Sequence, residues 1–438
     1  MDQMGRENRK VIFHIDVNSA FLSWEAAYRI RHLGGTLDLR TVPSAVGGDI
    51  SRRHGIILAK SIPARKYGIH TGESVPEALR KCPDLVLVPP NYELYEKNSR
   101  AFMEILREYT DMVEQYSIDE AFMDMTGTQK LFGPPAAVAA ALKDRIREEL
   151  GFTVNVGISS NKLLAKMAGE LRKPDMVHTL FPEEVQEKMW PLPVGELFFV
   201  GRSTERKLRN LGIQTIGELA AAEEGLLRAH LKKHGEVIRS FANGLDVSVV
   251  EPQPEPNKGY GNSTTIAFDV CDRDTAGLVL LSLAESVGRR LRRDGARIQV
   301  VSVGIKYFDL SHVSHQSVLY QPTNITSEIY QASVRLFDEL WDGTAIRHLG
   351  IHTGKVVYGG TDRQLGLFDT QDYERLEKLD RTVDEIRGRY GTDALMRAPF
   401  GVPGETGKEE SLARRLDHMG GGISREKRRI DYGKEKVM

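Results

Sequence analysis

The sequence has little cysteine, no long hydrophobic run and almost no excess of one charge. Cys82 and Cys271 are its only cysteines, and two thiols so far apart in the chain predict neither a disulfide framework nor a zinc site. This usage fits a reducing, cytoplasmic compartment. No run reaches the roughly 18 apolar residues of a spanning helix, and the opening "MDQMGRENRK" lacks the apolar core of a signal peptide. We therefore expect a soluble cytoplasmic protein with no membrane contact.

Charge and length constrain the function only loosely. The 438 residues include 60 Lys and Arg against 61 Asp and Glu, for a formal net charge of -1. This balance neither favours nor excludes a nucleic-acid partner, because acidic surface elsewhere can offset a basic groove. The length exceeds what one hydrophobic core covers, so we expect about three or four domains.

The first part of the chain predicts a strand, a helix, a hairpin, a helix and another strand. An apolar run ends at Asp16 and passes into a helical pattern after Asn18 and Ser19. Residues 92–117 predict one long helix, and "IDEAFMDM" then alternates around a tight turn, as a hairpin does. This order is that of a ferredoxin-like split βαβ unit, in which the first strand and the hairpin lie side by side.

The segments that follow predict further regular elements. A helix running to about Leu150 is followed by the strand "FTVNVGIS", and Ser159 or Ser160 is expected to cap the next helix. "ELFFVGRSTERKLRNLGIQTIGELAAA" predicts a small helical segment with Gly at two turns. Such a segment can offer backbone N–H groups to a DNA phosphate, and an ordinary αα-hairpin is an equal alternative.

The C-terminal part predicts a linker, a mixed domain and a helix. The Pro-rich residues 246–261 predict an extended, semi-rigid linker. Residues 256–360 mix strands and helices. An amphipathic helix follows, with apolar residues at heptad spacing: Leu376, Leu379, Val383 and Ile386. The Gly- and Lys/Arg-rich residues beyond it predict a disordered tail.

Three carboxylates are the main candidates for chemistry. Asp119 and Glu120 fall near the bend of the predicted hairpin, and strand pairing brings Asp16 beside them. Carboxylates at one sheet edge repel each other unless cations bind between them. Mg²⁺ takes one or two carboxylates plus substrate phosphates, and two ions about 3.5–4 Å apart support an in-line displacement. The pattern fits phosphoryl or nucleotidyl transfer, and a solvated turn with a strand-end Asp is the alternative.

Basic side chains near these segments fit a phosphate-bearing substrate. "ARKYG" supplies Arg65 and Lys66, and "LRKPD" supplies Arg172 and Lys173. Such groups neutralise charge that grows in a transition state, although each pair alone is more often a solvated face. The run "GRRLRRDGAR", residues 288–297, suits salt-sensitive contact with a nucleic-acid backbone.

These segments together resemble the motifs of the Y-family DNA polymerases of the bacterial DNA polymerase IV type. "VIFHIDVNSAF" resembles the first motif, "YSIDEAFMDMT" the most specific one, "ARKYG" the fingers motif and "VGISSNKLLAKMAGELRKPD" the third palm motif. Their order and spacing agree over about residues 10–370. The resemblance implies an α+β multidomain fold of the right-hand polymerase type, with a ferredoxin-like palm, small fingers, a helical thumb and an α/β little finger.

The resemblance also implies domain boundaries. The expected domains are a catalytic palm at 1–27 and 86–180, fingers at 28–85, a helix-hairpin-helix-like thumb at 181–245, a linker at 246–257 and a little finger at 258–362. Residues 363–438 are expected to hold a clamp-binding peptide, a helix and the disordered basic tail.

The resemblance gives the carboxylates specific roles. Asp16, Asp119 and Glu120 are expected to be the catalytic residues that bind two Mg²⁺ ions. The backbone carbonyl of Val17 is expected to be a further metal ligand. Ser117 is expected to be a small polar neighbour of these carboxylates.

Three further residues are expected to bind the nucleotide. Phe21 resembles the steric gate, an aromatic ring that lies under the sugar and excludes a 2′-hydroxyl; without the motif we interpret it as a core Phe. Arg65 and Lys173 are expected to hold the incoming triphosphate.

The sequence departs from the family pattern at four positions. Ala59 and Ile62 stand where relatives carry a Thr and a Tyr that contact the nucleotide, and Ser19 replaces an aromatic residue near the gate. Phe199 replaces the first Gly expected in the thumb hairpin loop. Nucleotide contacts in the fingers and phosphate binding by the thumb are therefore open to rearrangement.

"QLGLF" resembles the peptide by which bacterial polymerases dock on the sliding clamp. Leu365, Leu367 and Phe368 can enter a hydrophobic groove while Gln364 hydrogen-bonds at its rim. The alternative interpretation is that this short apolar segment packs against the edge of the domain core.

The resemblance implies template-directed DNA synthesis of low fidelity, with translesion synthesis in DNA repair. The expected partners are primer-template DNA, dNTP and the clamp, and the protein is expected to be a monomer. No segment suggests a proofreading exonuclease. Two rivals are a catalytically silent adaptor, which loss of the carboxylates would indicate, and a nucleotide cyclase, which would need no thumb, basic little finger or clamp peptide.

Overall fold

The computed structural model describes residues 9–48, 55–359 and 372–401, which form two compact units. The first unit ends at Pro254 and the second begins at Glu255. The clamp-binding peptide expected at Gln364–Phe368 and the tail from residue 402 lie outside the described residues. Within the described ranges, no helix has both the length and the apolar character needed to cross a membrane.

The first unit contains two sheets and a helical segment. Its elements are β1 (Ile12–Val17), α1 (Ala20–Leu33), β2 (Ser44–Gly47), β3 (Ile57–Lys60), α2 (Ile62–Arg65), α3 (Val75–Lys81), β4 (Val86–Val88), α4 (Tyr92–Arg107), β5 (Val113–Gln115), β6 (Glu120–Asp124), α5 (Gln129–Phe132), α6 (Pro135–Leu150), β7 (Val154–Ser159), α7 (Lys162–Glu170), β8 (Val177–Thr179), α8 (Arg202–Asn210), α9 (Ile216–Ala221), α10 (Glu224–Leu231) and α11 (Lys233–Ala242).

The larger sheet confirms the ferredoxin-like arrangement. Its strand order is β5-β6-β1-β7-β8, with β1 antiparallel to both β6 and β7. β5 and β6 form the predicted hairpin, and Asp119 and Glu120 lie at its bend. Asp16 is directly opposite Glu120 in the register of β1 and β6.

Two local predictions were wrong. The helix predicted for 92–117 ends at Arg107, and residues 113–115 instead form β5, because pairing with β6 outweighs the local helical pattern. The cap of α7 is Asn161, whose side chain accepts from the N–H of Leu164 at 2.8 Å, and not Ser159 or Ser160. Ser159 belongs to β7, and its hydroxyl donates to a backbone carbonyl.

A smaller sheet has its own hydrophobic core. Its order is β3-β2-β4, with β2 antiparallel to β3 and parallel to β4. Ile57, Ala64, Ile69 and Val75 are completely buried in this core. β4 lies within the segment "DLVLVPP", and its pairing with β2 places it in this small sheet.

The helical segment follows the larger sheet in the chain. The helices expected around "GRSTERKLRNLGIQTIGELAAA" are α8 and α9. Gly212 lies between them with a φ of 83°, in the left-handed region that glycine adopts without a steric cost. Side chains of α8 to α11 form a separate hydrophobic cluster, which includes Leu208, Leu227 and Ile238.

The Pro-rich segment is an extended connection that is fixed at its start. Residues 245–260 form neither helix nor strand. Val250 is buried beside Phe122 of the larger sheet. The backbone N–H of Glu251 donates to the carboxylate of Glu114 at 2.9 Å.

The second unit is a four-stranded sheet with helices. Its elements are β9 (Gly261–Val270), α12 (Arg273–Arg293), β10 (Ala296–Tyr307), β11 (His312–Thr323), α13 (Thr326–Leu340), β12 (Ile346–Tyr358), α14 (Tyr373–Tyr390) and α15 (Ala398–Gly401). The strand order is β11-β10-β12-β9, all antiparallel. α12 and α13 pack with this sheet around one core.

α14 confirms the predicted C-terminal helix, but charged residues anchor it. Leu379 of the expected apolar stripe is 55% exposed, whereas Asp380 and Arg387 are buried. Arg292 of α12 lies 3.1 Å from Asp380, and Glu285 of the same helix lies 3.3 Å from Arg387. Ion pairs therefore hold this helix where an apolar contact was expected.

The packing of α7 on the larger sheet generates a stability prediction. A Cβ added at Gly157 of β7 would lie 1.9 Å from the carbonyl oxygen of Ala165. Gly157→Ala should therefore lower the free energy of unfolding by about 3 kcal/mol, because backbone atoms must move apart. Gly127→Ala is the control, since no atom lies within 4 Å of its added Cβ. Urea unfolding checks both, and equal stabilities would refute the close approach.

Candidate active site

The residues that carry the three carboxylates lie where β1 ends beside the β5–β6 hairpin. Asp16 faces Glu120 across the paired strands, and Asp119 precedes Glu120 at the bend. The backbone N–H of Val17 donates to the carbonyl of Asp119 at 3.0 Å. The structure thus brings together all four residues for which the sequence predicts metal binding.

Asp16 is a buried carboxylate, and Lys173 is its one cationic partner among the described residues. Asp16 is 8% exposed, and Lys173 donates a short hydrogen bond to its Oδ2 atom. Burial raises the pKa of Asp16 to about 6, against the opposing attraction of Lys173. The pKa of Lys173 is also raised, because its contacts with Asp16 and Glu170 outweigh a burial that would lower it. The ionised form of Asp16 is therefore costly in the folded protein.

Two asparagines hold the loop that carries Lys173. The amide of Asn155 in β7 donates to the carbonyls of Gly169 and Arg172 at 3.0 and 2.7 Å. The side-chain oxygen of Asn18 accepts from the N–H of Asp175 at 3.0 Å. These bonds fix the chain on both sides of Lys173 and so place its ammonium group at Asp16.

Glu120 is held in its ionised form. Lys166 of α7 donates to its Oε2 atom at 2.5 Å, and the Nε2 atom of His14 lies 3.4 Å from the same oxygen. Burial alone would raise the pKa of Glu120, but these two contacts lower it to about 2. At the neighbouring carboxylate, the hydroxyl of Ser117 donates a hydrogen bond to Oδ1 of Asp119 at 2.6 Å.

The donor set fits Mg²⁺ in its chemistry. The side-chain donors are carboxylate oxygens, which Mg²⁺ prefers. Over the described ranges, no three acidic, His or Cys side chains converge closely enough to hold an ion by themselves. Mg²⁺ does not need such a cage, because it keeps several waters and takes substrate phosphates as ligands.

Phe21 lies at the first turn of α1 within an aromatic cluster. Its ring stacks on Tyr95 with centroids 4.4 Å apart and planes 8° apart. The ring of Tyr92 meets Phe21 edge-on at 6.1 Å. Both tyrosines belong to α4. Phe21 is only half-buried, so the cluster holds the ring while leaving part of it accessible.

Arg65 is exposed at the end of α2. Among the described residues, its side chain makes no hydrogen bond or ion pair, and it lies near Lys60 of β3. Burial lowers the pKa of Lys60, and the positive charge of Arg65 lowers it further. Two cations that repel each other favour an anion between or beside them. Ile62, which replaces the expected Tyr, is 49% exposed.

Two of the sequence departures adopt left-handed backbone conformations. Phe199 has a φ of 73° and is 53% exposed, so the hairpin loop keeps a conformation suited to the Gly that relatives carry. Ser19 has a φ of 49° at the start of α1, and its side chain makes no capping bond.

Part of the basic run 288–297 is unavailable for contact with nucleic acid. The side chain of Arg292 is 5% exposed and lies 2.7 Å from Asp384. Arg297 lies 3.3 Å from Glu377. The charges of these two arginines pair with α14, so within this run they are less suited to contact with a phosphate backbone.

Four residues of the site were not identified from the sequence: His14, Lys60, Tyr95 and Lys166. His14 and Lys166 lie inside quoted motifs, and helical spacing alone could have suggested that Lys166 shares a face with Lys162. The contacts of His14 and Tyr95 depend on packing between distant segments and have no local signal.

Family models match three parts of the chain. The impB/mucB/samB family covers residues 15–170, its C-terminal domain covers residues 257–367, and the IMS family HHH motif covers residues 182–213.

Similar proteins extend over most of the chain. DNA polymerase IV of Clostridium acetobutylicum is 45% identical over 389 residues, which are 89% of this chain and 98% of that protein. DNA polymerase IV 1 of Bacillus subtilis is 37% identical over 390 residues, 89% of this chain and 92% of that protein. A solved structure of a Y-family DNA polymerase chimera has a TM-score of 0.69 at 23% identity, over 80% of this chain and 100% of that chain.

The raised pKa of Asp16 predicts that this residue destabilises the metal-free protein. Its folded pKa of about 6 lies above the ordinary value near 4, so the native state binds more protons than the unfolded state between these values. This contribution to stability is present at low pH and is lost as pH rises through 6. Asp16→Asn should raise the free energy of unfolding at pH 7.5 by about 1–3 kcal/mol.

Urea unfolding with a chelator present checks this expectation, with the exposed Asp111→Asn as control. The increase in the free energy of unfolding caused by Asp16→Asn should be smaller at pH 4.5, where Asp16 is protonated in the native state. A loss of stability at pH 7.5 would contradict the assigned cost of burial.

Proposed function

Because the chain belongs to the impB/mucB/samB family, the Y-family DNA polymerases of the bacterial DNA polymerase IV type, we propose the following function for its site. The protein is a DNA-directed DNA polymerase that adds dNTPs to a primer 3′-hydroxyl with low fidelity. It carries out translesion synthesis in DNA repair and does not proofread. The observation that carries this proposal is the register that places Asp16 opposite Glu120, with Asp119 at the adjoining bend.

Asp16, Asp119, Glu120 and the carbonyl of Val17 are the proposed ligands of two Mg²⁺ ions. When bound, the ions supply activation of the attacking 3′-hydroxyl and stabilisation of the leaving pyrophosphate oxygen. Asp119 would be a ligand of both ions, and Glu120 would be a ligand of the one that serves the primer hydroxyl. The support from the structure is that each of these groups reaches the same end of the sheet.

Arg65 and Lys173 are the proposed ligands of the dNTP triphosphate. Arg65 is exposed and has no hydrogen-bond acceptor among the described residues, so its guanidinium can bind an anionic ligand. Lys173 is held by its loop beside Asp16, where it can neutralise charge on phosphate oxygens as pyrophosphate departs. Lys60, beside Arg65, adds to the positive potential on this side of the site.

Phe21 is the proposed steric gate. Its ring is fixed by stacking on Tyr95 and therefore cannot yield easily to a larger sugar. A 2′-hydroxyl meeting this ring would lose its hydration without gaining a hydrogen bond. The Phe21 ring would therefore favour deoxyribose over ribose without making a polar contact to the sugar.

The remaining assignments follow the family pattern. We propose palm, fingers and thumb at the residues expected from the sequence, with the thumb and little finger holding primer-template DNA. The peptide Gln364–Phe368 is the proposed contact with the sliding clamp. The protein is proposed to act as a monomer in the cytoplasm.

Loss of Asp119 should abolish synthesis. Asp119→Ala removes the proposed shared ligand, and we expect a fall of roughly 10³-fold or more in primer extension with Mg²⁺. The control is Asp111→Ala, an exposed carboxylate on the turn before β5. Extension by Asp119→Ala at the wild-type rate would refute the metal site.

Loss of the Phe21 ring should relax sugar selection. In single-nucleotide insertion assays, Phe21→Ala should accept ribonucleotides at least about tenfold more readily relative to dNTPs, because a van der Waals barrier is removed. Phe132→Ala, another partly exposed aromatic of the same unit, should leave the ratio unchanged. An unaltered ratio in Phe21→Ala would rule out the gate.

Deletion of Gln364–Phe368 should separate catalysis from clamp use. Distributive primer extension should stay at the wild-type rate, while stimulation by a loaded clamp should be lost. The control is Leu379→Ala, an exposed leucine of α14. Equal stimulation of the deletion variant and the wild type would count against docking through this peptide.

A further inference from the structure

One oxygen of Glu120 is held from two sides. The Nε2 atom of His14 approaches Oε2 from β1 at 3.4 Å, and the ammonium of Lys166 reaches the same atom from α7 at 2.5 Å. In the part of the chain that the structure describes, no donor reaches Oε1. The carboxylate is therefore restrained through one oxygen and presents the other.

The surroundings of His14 decide where its proton lies. The side chain is fully buried, and its Nε2 atom faces an ionised carboxylate oxygen, which can only accept a hydrogen bond. Within the described ranges, its Nδ1 atom has no hydrogen-bond partner. Because Nε2 alone has an acceptor, the N–H lies on Nε2 and donates to Glu120. The ring is fixed against Phe122, with centroids 4.8 Å apart.

The close approach of α7 fixes both the imidazole and the lysine. A Cβ added at Gly169 would lie 3.3 Å from Nδ1 of His14, so the helix backbone covers that side of the ring. The ammonium of Lys166 lies over the rings of Tyr116 and Phe198 at 5.3 and 5.2 Å. Neither donor can move far from Glu120 without disturbing this packing.

We propose that His14 is a positioning residue for Glu120. Together with Lys166 it fixes Oε2 and so presents Oε1 to the ion that activates the primer hydroxyl. The inference rests on the proposed metal site and goes beyond it, because it assigns a role to a buried side chain that would touch neither substrate nor ion. Partners that orient a metal ligand commonly change metal affinity by about 10–100-fold when they are removed.

The test compares two substitutions of His14. His14→Phe keeps a ring against Phe122 but removes the donor, whereas His14→Gln keeps an N–H of similar reach. Mn²⁺ binding is measured by electron paramagnetic resonance, with dNTP and a dideoxy-terminated primer that prevents turnover. His14→Phe should bind Mn²⁺ about tenfold more weakly than the wild type, and His14→Gln should stay within about threefold.

A double substitution shows whether the effect passes through Glu120. In a Glu120→Ala background, His14→Phe should cause no further loss of Mn²⁺ affinity. An equal additional loss in that background would overturn the proposal, as would wild-type affinity in His14→Phe alone. Thermal unfolding of each variant accompanies these measurements, because a purely structural role would lower the midpoint without changing the Mn²⁺ dissociation constant of the folded fraction.

A substitution of Lys166 gives a second test of the proposal, and this test does not require a change in the buried core. Lys166→Met should lower kcat about tenfold while leaving the KM for dNTP within about threefold. The matched control is Lys162→Met, one helical turn earlier, where the lysine binds Glu114 at 2.7 Å. A raised KM with unchanged kcat in Lys166→Met would mean that this lysine binds nucleotide, and would overturn the paired role.

Failure of this inference differs from failure of the metal site. If Asp119→Ala retains Mn²⁺ binding and synthesis, the proposed function fails. If Asp119→Ala loses both while His14→Phe retains both, only the positioning role is refuted.

Discussion

The antiparallel register of β1 and β6 is the constraint on which the site depends. It sets Asp16 opposite Glu120 although about a hundred residues separate them in the chain. Side chains alternate between the two faces of a strand, so a slip of one residue would turn Asp16 to the other face. The register is fixed by buried residues on both strands, among them Phe13, Ile15 and Met123. Hydrophobic packing of the two strands therefore determines the positions of the charged residues Asp16 and Glu120.

Placing carboxylates at this sheet end requires compensating cations from other elements. Lys173 reaches Asp16 from a loop, and Lys166 reaches Glu120 from α7. The compensation is unequal, because Glu120 keeps a low pKa while burial raises that of Asp16. Stability at Asp16 is given up for a geometry that a divalent ion can use, which is common at catalytic sites. The exposed, left-handed Phe199 is a second local cost, set against edge contacts of its ring with Phe198 and Phe241.

Charge also organises the second unit, in a different way. Arg292 and Glu285 of α12 are almost completely buried, and each pairs with a charged residue of α14. Replacing a buried ion pair with apolar residues is often neutral or stabilising, so these pairs by themselves do not indicate a gain in stability. They also remove Arg292 from the basic surface that the sequence suggested. The positive charge of a segment is therefore a poor guide to its availability for DNA.

Local pattern and motif resemblance determined the fold class, the hairpin at Asp119 and the identity of the carboxylates, because these depend on residue type, periodicity and order along the chain. Only the tertiary structure decided where α4 ends, since pairing of β5 with β6 competes with the helical pattern after Arg107. It also decided which face of α14 is buried and which side chains restrain Glu120. His14 and Lys166 come from separate elements, and their convergence depends on the close approach of α7 that Gly157 permits. Distances between such segments are set by the packed core as a whole, and no local stretch of sequence encodes them.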